Sequence, residues 1–184
     1  MLFKEFVGFH TGINNTRLTK EEKTIEIYNI VDLNFDKTIY TESFGELPFR
    51  DKKYLTSRGD LIYNCSIATA AVVSEKNTGK RMSQNFVVLT FDRERYDKYF
   101  VCYLLNNSRM VKSQLSTLKQ GSSLLRTMPA SIKEISVDVP NLEQQRKIGK
   151  MYIKTEQMIA LKKKAIKLEE ELLYEAIEKV KNEF

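Results

Sequence analysis

The pattern of apolar positions along the first two thirds of the chain predicts a compact unit of strands and short helices. Four apolar stretches rich in β-branched and aromatic residues predict strands, and they cover residues 25–31, 53–63, 68–73 and 85–91. Apolar residues at helical spacing over 96–118 predict two short helices, with a break at 106–108. A further short helix is expected from Pro129, and a last strand over 135–139. The expected fold class is α+β, with a globular mixed domain and a barrel-like sheet.

After this unit the pattern becomes that of one long helix. Asn141 is a typical helix-capping residue, and no proline follows it. The helix is expected over residues 142–180, which corresponds to about 60 Å at 1.5 Å per residue. The expected organisation is therefore a globular domain over residues 1–140 and a long helix within residues 141–184.

The apolar stripe of this helix is wide, because two neighbouring rows of apolar residues recur at heptad spacing. The residues expected in a helix–helix contact are Met158, Ile159, Leu161, Ala165, Ile166, Leu168, Leu172 and Leu173. A helix of this length extends beyond a domain of this size, which favours a dimerising coiled coil over a helix lying along its own domain. The charged runs 162–164 and 169–171 are compatible with parallel or antiparallel pairing, and equally with an ordinary solvated face.

The charge balance favours a polyanionic partner. The 184 residues carry 30 Lys and Arg against 24 Asp and Glu, a formal net charge of +6. Such an excess suits nucleic acid, although membrane binding and solubility also account for it. Since no apolar run approaches the roughly 20 residues of a membrane span, no membrane association is expected and the protein is predicted to be cytoplasmic.

The metal-ligating and nucleophilic residue types are few. Cys65 and Cys102 are far apart, lie among apolar neighbours and are expected to be reduced core residues. His10 is the single histidine, so no pair of histidines can form a metal site. Neither a metal nor a cofactor is therefore expected.

Residues 132–148 carry the segment most typical of a known family, with the sequence IKEISVDVPNLEQQRKI. It closely resembles the signature of the specificity subunits of type I restriction-modification systems, in which a strand ends at a proline and a leucine-glutamate-glutamine segment starts a conserved long helix. Three further segments, residues 55–62, 84–86 and 120–122, match family motifs in the same order. Residues 12–18 and 148–152 are similar to one branch of that family.

The resemblance implies a DNA target-recognition domain over residues 1–140 followed by a dimerisation or spacer helix over 141–184. It also implies partner modification (methyltransferase) and restriction subunits that perform the catalysis. Full-length members hold two recognition domains and two conserved helices that pair antiparallel, whereas this chain holds one of each. Either two copies assemble into the equivalent of a whole subunit, or the chain is a fragment or a half that depends on a different partner.

Sequence motifs for catalysis are missing. The chain has no P-loop, and its three prolines are isolated, so the Asn- or Asp-Pro-Pro-aromatic motif of adenine methyltransferases is absent. The acidic and basic residues at 21–23 and 51–53 resemble a nuclease centre only superficially and are expected to be solvated charges. The chain is therefore predicted not to be an enzyme.

Three polar clusters are the candidates for DNA contact, since each combines groups suited to phosphates with groups suited to base edges. They are Asn14, Asn15, Thr16 and Arg17 before the first strand; Lys76, Asn77, Lys80 and Arg81 in a hairpin-like turn; and Gln120, Ser122, Ser123 and Arg126 in a loop. Each cluster is equally compatible with an ordinary solvated turn. Gly59 and Asp60 are expected to be structural, with Gly59 turning the chain and Asp60 accepting backbone hydrogen bonds.

Two further hypotheses accompany DNA recognition. One is a silent or degenerate half-subunit that acts as a coiled-coil adaptor without binding DNA. The other is an autonomous nuclease, which the missing carboxylate cluster disfavours. Base-specific binding together with a methyltransferase partner would distinguish recognition from the adaptor, and metal-dependent cleavage would indicate the nuclease.

Overall fold

The structure, a computed structural model, describes residues 1–41, 54–120 and 129–182. The strands are β1 Gly8–Thr11, β2 Ile27–Tyr28, β3 Leu61–Asn64, β4 Thr69–Val72, β5 Arg81–Met82 and β6 Phe86–Thr90. The helices are α1 Ile30–Asp36, α2 Lys98–Asn107, α3 Arg109–Gln120, α4 Pro129–Lys133 and α5 Leu142–Lys181. The predicted α+β class is confirmed.

Four antiparallel strands form the central sheet in the order β1-β6-β3-β4, and β2 pairs with β5 in a separate parallel ladder. Within the described part of the chain β1 and β4 lie at opposite edges and do not pair, so the sheet is open. The expected barrel-like closure is therefore wrong.

Both faces of the central sheet are covered. Since successive side chains of a strand point to opposite faces, one strand contributes to two cores. On β3, Leu61 and Tyr63 belong to one core and Ile62 belongs to the other. The larger core lies under α2, α3, α4 and the start of α5, whereas the smaller one lies under α1, β2 and β5. This double coverage explains why all four residues of β3 are buried.

Three of the predicted strands are shorter than expected. Within residues 25–31 only β2 is a strand, because Asn29 caps α1 and accepts hydrogen bonds from the backbone nitrogens of Val31 and Asp32. Within residues 53–63 the strand starts at Leu61, after a turn. Residues 135–139 form one isolated bridge, Leu2 to Ser136.

The helix α5 begins by packing against α2. Its Asn141 side chain accepts a hydrogen bond from Gln144 N at 3.0 Å, which confirms the predicted cap. Gly149 is buried at the crossing, where an added Cβ would lie 2.9 Å from the backbone nitrogen of Phe100. Only glycine allows such a close approach of the two helices.

Glu156 is the last buried residue of α5, close to the point where the helix leaves the rest of the molecule. We call the described residues before α5 the head, and residues 158–181 the arm. Tyr152, in the same heptad row as Ile159, is buried and its hydroxyl accepts a hydrogen bond from Asn106 Nδ2 at 2.7 Å. The arm carries the remaining large apolar side chains of that row in exposed positions. None of the helices in the described residues is long and apolar enough to span a membrane.

Candidate nucleic-acid interface

Three loops meet at one end of the central sheet, where the ends of neighbouring strands lie together. The register pairs Thr11 with Val87, and Asn64 with both Phe86 and Thr69. The end of β1, the β3–β4 turn and the β5–β6 turn therefore lie side by side. We call this arrangement the loop edge.

The first predicted cluster lies on the loop edge. Ile13 forms a bridge with Ser83, and its backbone nitrogen donates to the Met82 carbonyl at 3.0 Å. Asn14 Oδ1 then accepts a hydrogen bond from Thr16 N at 3.2 Å, and residues Asn15–Arg17 form a 3₁₀ turn. The side chains of Asn14, Thr16 and Arg17 are exposed. The backbone is thus held in place while polar side chains remain available to a ligand.

The two neighbouring turns add polar residues that were not predicted. Ser66 is exposed, and the buried Asn64 side chain organises its turn by accepting a hydrogen bond from Ser66 N at 2.8 Å. Ser83 and Asn85 line the other turn and are half-buried. A groove of about 430 Å³ runs between these turns and the start of α1. Short polar residues at strand ends were the available signal, but only the register shows that they meet.

Most of the second predicted cluster lies inside the head. Asn77 and Arg81 are 0% and 3% exposed, and β4 and β5 lie in different sheets, so the expected exposed hairpin-like turn is wrong. Lys80 is 8% exposed, and its ammonium lies 2.6 Å from Glu26 Oε1 and 2.9 Å from Asp32 Oδ1. These carboxylates raise the pKa of Lys80, Glu26 most strongly.

Lys76 is the exposed member of that cluster, with its ammonium 4.6 Å from the centre of the Phe35 ring. It follows the end of β4, and the register places that strand end at the end of the sheet opposite the loop edge. The structure therefore does not bring Lys76 together with Asn14, Thr16 and Arg17.

Asn77 takes part in a buried network rather than in a surface turn. Its Nδ2 donates to Asp36 Oδ1 at 2.8 Å, and the Tyr28 hydroxyl donates to Asp36 Oδ2 at 2.9 Å. Burial raises the pKa of the Asp36 carboxyl, although its hydrogen bonds oppose that shift. Burial, reinforced by Asp36, raises the pKa of Tyr28 as well. The network joins α1 to the β4–β5 connection.

The third predicted cluster falls largely on residues that the structure does not describe. Ser122, Ser123 and Arg126 lie within 121–128, outside the described residues, and Gln120 is the last residue of α3. DNA contact by this cluster stays a prediction.

The structural roles predicted for Gly59 and Asp60 are confirmed. Gly59 has φ +82°, a left-handed conformation that favours glycine, and Asp60 Oδ2 accepts a hydrogen bond from Ser57 N at 2.7 Å. Cys65 and Cys102 are both buried and are not joined in a disulfide bond, as expected. In residues 1–41, 54–120 and 129–182, no three acidic, cysteine or histidine side chains form a group that could hold a metal ion.

The head thus gathers polar loops at one end of its sheet and is joined to an exposed helical arm. Residues 9–170 match the family model described as the type I restriction modification DNA specificity domain. Because this match covers most of the chain, the protein belongs to that family. Specificity subunits of type I systems are non-catalytic, so membership also supports the expectation that the chain is not an enzyme. No curated protein matches the sequence.

Solved structures agree on the fold. The crystal structure of the HsdS subunit from Thermoanaerobacter tengcongensis is similar with a TM-score of 0.54 and 14% identity over 90% of this chain. A chain from a type I restriction-modification system, solved to explain complex assembly and conformational transition, gives 0.58 and 14% identity over 94%. This chain spans only 39% and 42% of those two chains.

Proposed function

We propose that this protein reads the DNA sequence for a type I restriction-modification complex, with the loop edge as its base-reading surface. The observation that carries the proposal is the family match over residues 9–170. The exposed Asn14, Thr16 and Arg17 on a fixed backbone supply the chemistry.

The side chains at the loop edge suit both kinds of DNA contact. An arginine such as Arg17 can donate two hydrogen bonds to guanine, and asparagines such as Asn14 and Asn85 can bind adenine with both a donor and an acceptor. The hydroxyl groups of Ser66 and Ser83 suit phosphate oxygens. DNA contact by Gln120, Ser122, Ser123 and Arg126 remains part of the proposal, whereas the burial of Asn77, Lys80 and Arg81 argues against their direct contact with DNA.

We propose further that two copies associate through their arms. The exposed arm residues include Met158, Ile159, Leu161, Ala165, Ile166, Leu168, Leu172 and Leu173. A continuous apolar surface of this kind is rare on a monomer. An antiparallel pair would present two heads to two inverted half-sites. This chain spans only 39% and 42% of the two solved chains, which is compatible with a pair of copies and also with a different partner that supplies the missing part.

The complete complex would contain duplex DNA, a modification subunit and a restriction subunit, and it would act in the cytoplasm. No cofactor is assigned to this chain. Methylation and cleavage would be performed by the partner subunits.

The test is selection of bound sequences from random duplex DNA by the purified chain, with and without a type I modification subunit. We expect enrichment of an inverted bipartite motif. Arg17→Ala should cost about 1–3 kcal/mol on the selected site and little on random DNA. The matched control is Arg109→Ala, an exposed arginine at the start of α3. A uniform loss across sequences would reassign Arg17 to the DNA backbone.

The competing function is a coiled-coil adaptor without DNA binding. The exposed apolar arm fits this function as well as it fits recognition. Dimerisation without any enriched sequence, even with the modification subunit present, would favour the adaptor and overturn DNA reading.

A further inference from the structure

A second polar site lies where α5 meets the head, away from the loop edge. It is a cleft of about 790 Å³, and its charged lining residues are Arg93, Asp97, Lys98, Arg146, Lys150 and Lys154. Arg93 follows the end of β6, and the register places that strand end at the end of the sheet opposite the loop edge. Among the described lining residues five cations thus face one carboxylate.

One wall of the cleft is a row of cations on α5. Arg146, Lys150 and Lys154 are spaced four residues apart, so they lie on one helix face about 6 Å apart along the axis. All three are exposed, and none forms an ion pair with a residue in the described ranges. Their positive charges are therefore available to a ligand.

The helix α2 adds a buried ammonium group to the lining of the cleft. Lys98 is 6% exposed, and its Nζ has no hydrogen-bond partner in the part of the chain that the structure describes. A Cβ on Gly59 would lie 3.8 Å from Lys98 Nζ and 3.9 Å from an Arg93 guanidinium nitrogen. The two cations therefore approach the same point of the backbone.

The charge of Lys98 is only partly balanced within the described residues of the head, where its ammonium lies 5.4 Å from the centre of the Tyr99 ring. Burial, and then the positive charge of Arg93, lower the pKa of Lys98 to about 8. The neighbouring Asp97 carboxylate already caps α2, accepting a hydrogen bond from Phe100 N at 2.8 Å. A buried cation without a hydrogen-bond partner is costly unless an anion compensates it.

We propose that this cleft binds a phosphate group. A phosphate carries more negative charge than a carboxylate and offers three strong acceptor oxygens, which suits a cleft lined by cations of both α2 and α5. The volume is that of a small-ligand pocket. Tyr40 and Tyr99, stacked with ring centres 5.3 Å apart, also line it. The phosphate belongs either to a free nucleotide or to the backbone of DNA.

The first experiment uses inorganic pyrophosphate as the probe and the thermal midpoint as the readout, at constant ionic strength against chloride. The cleft variant is Arg146→Gln, Lys150→Gln, Lys154→Gln, and the control variant is Lys162→Gln, Lys163→Gln, Lys164→Gln on the arm. Both lose three positive charges from exposed sites of the same helix. At a hundredfold excess over Kd we expect a rise of about 5 °C or more in wild type and control, and none in the cleft variant.

A second variant tests the buried ammonium separately. Lys98→Met keeps the length of the side chain and removes its charge, so the head should fold. We expect it to lose the pyrophosphate shift too. A shift of wild-type size in the cleft variant or in Lys98→Met would overturn the proposal.

The second experiment distinguishes the source of the phosphate and rests on the proposed function. If DNA supplies it, the cleft variant should bind duplex DNA at least tenfold more weakly than the arm control, with a salt slope shallower by about one to three units. Equal DNA affinities together with a pyrophosphate shift confined to wild type and control assign the site to a free nucleotide. If no variant binds DNA, the proposed function fails, and the pyrophosphate result alone decides the cleft.

Discussion

The carboxylate of Glu156 lies 3.0 Å from the ammonium group of Lys37, and this ion pair marks the point where α5 leaves the head. Lys37 directly follows α1, so the pair joins the helix that covers the smaller core to the helix that covers part of the larger one. Beyond it, no described residue of α5 is buried.

Replacement of Glu156 should therefore destabilise the head. Glu156→Gln leaves Lys37 partly buried without its carboxylate, and we expect a loss of about 1–3 kcal/mol in the free energy of unfolding. The control is Glu171→Gln, which removes an exposed pair with Lys167 and should change stability by less than about 0.5 kcal/mol. Urea unfolding monitored by circular dichroism measures both free energies. Equal effects would show that the pair of Glu156 and Lys37 stabilises the head no more than an exposed pair does.

The buried Lys98 should make stability depend on pH between about 8 and 10.5, the folded and ordinary pKa values of that side chain. In this window the unfolded chain binds more protons at this position than the folded chain, so its contribution to stability rises with pH. Relative to Lys98→Met, wild type should gain about 3 kcal/mol across the window. Denaturant unfolding of both proteins at pH 7.5 and 10.5 measures the difference. A constant difference would show that the ammonium is solvated in the folded protein.

Lys80 and Lys76 should separate stability from DNA binding. Lys80→Met leaves the nearly buried Asp32 carboxylate without its cation and should cost about 1–3 kcal/mol of stability, with DNA affinity of the folded protein unchanged. Lys76→Met should leave stability within about 0.5 kcal/mol and, if Lys76 meets a phosphate, make the salt slope shallower by about one unit. Thermal unfolding and DNA titration at several salt concentrations test both. A weaker affinity of folded Lys80→Met would return that residue to the interface.

The arm should control assembly. Ile166→Glu with Leu173→Glu introduces charge into an exposed apolar row and should convert a dimer into a monomer whose head remains folded. Lys163→Gln with Glu170→Gln, on the polar face, is the control and should leave the dimer intact. Light scattering at tens of micromolar gives the mass, and a wild-type monomer there would contradict pairing through the arm.

Local signals predicted the elements that local interactions determine. The expected helix over 142–180 is observed as Leu142–Lys181, because a capping asparagine starts it and no proline interrupts it. The expected strands 68–73 and 85–91 contain β4 and β6, whose apolar runs are long enough to be buried on both faces. The short helix from Pro129 is also confirmed.

The errors occur where distant residues determine the structure. The charge of Lys80 suggested an exposed turn, but its partners Glu26 and Asp32 are 54 and 48 positions away in sequence. Similarly, Ser66 and Ser83 become neighbours of the first cluster only through strand pairing. By contrast, the Asn29 cap that starts α1 was visible in the sequence, where the β-branched residues around it favoured a strand.

The chain between Gly149 and Asn182 contains neither glycine nor proline, and the helix passes from head to arm without a break. The helix consequently offers no glycine or proline hinge at which the head could rotate relative to the arm. A partner that binds the arm therefore also fixes the direction in which the loop edge faces.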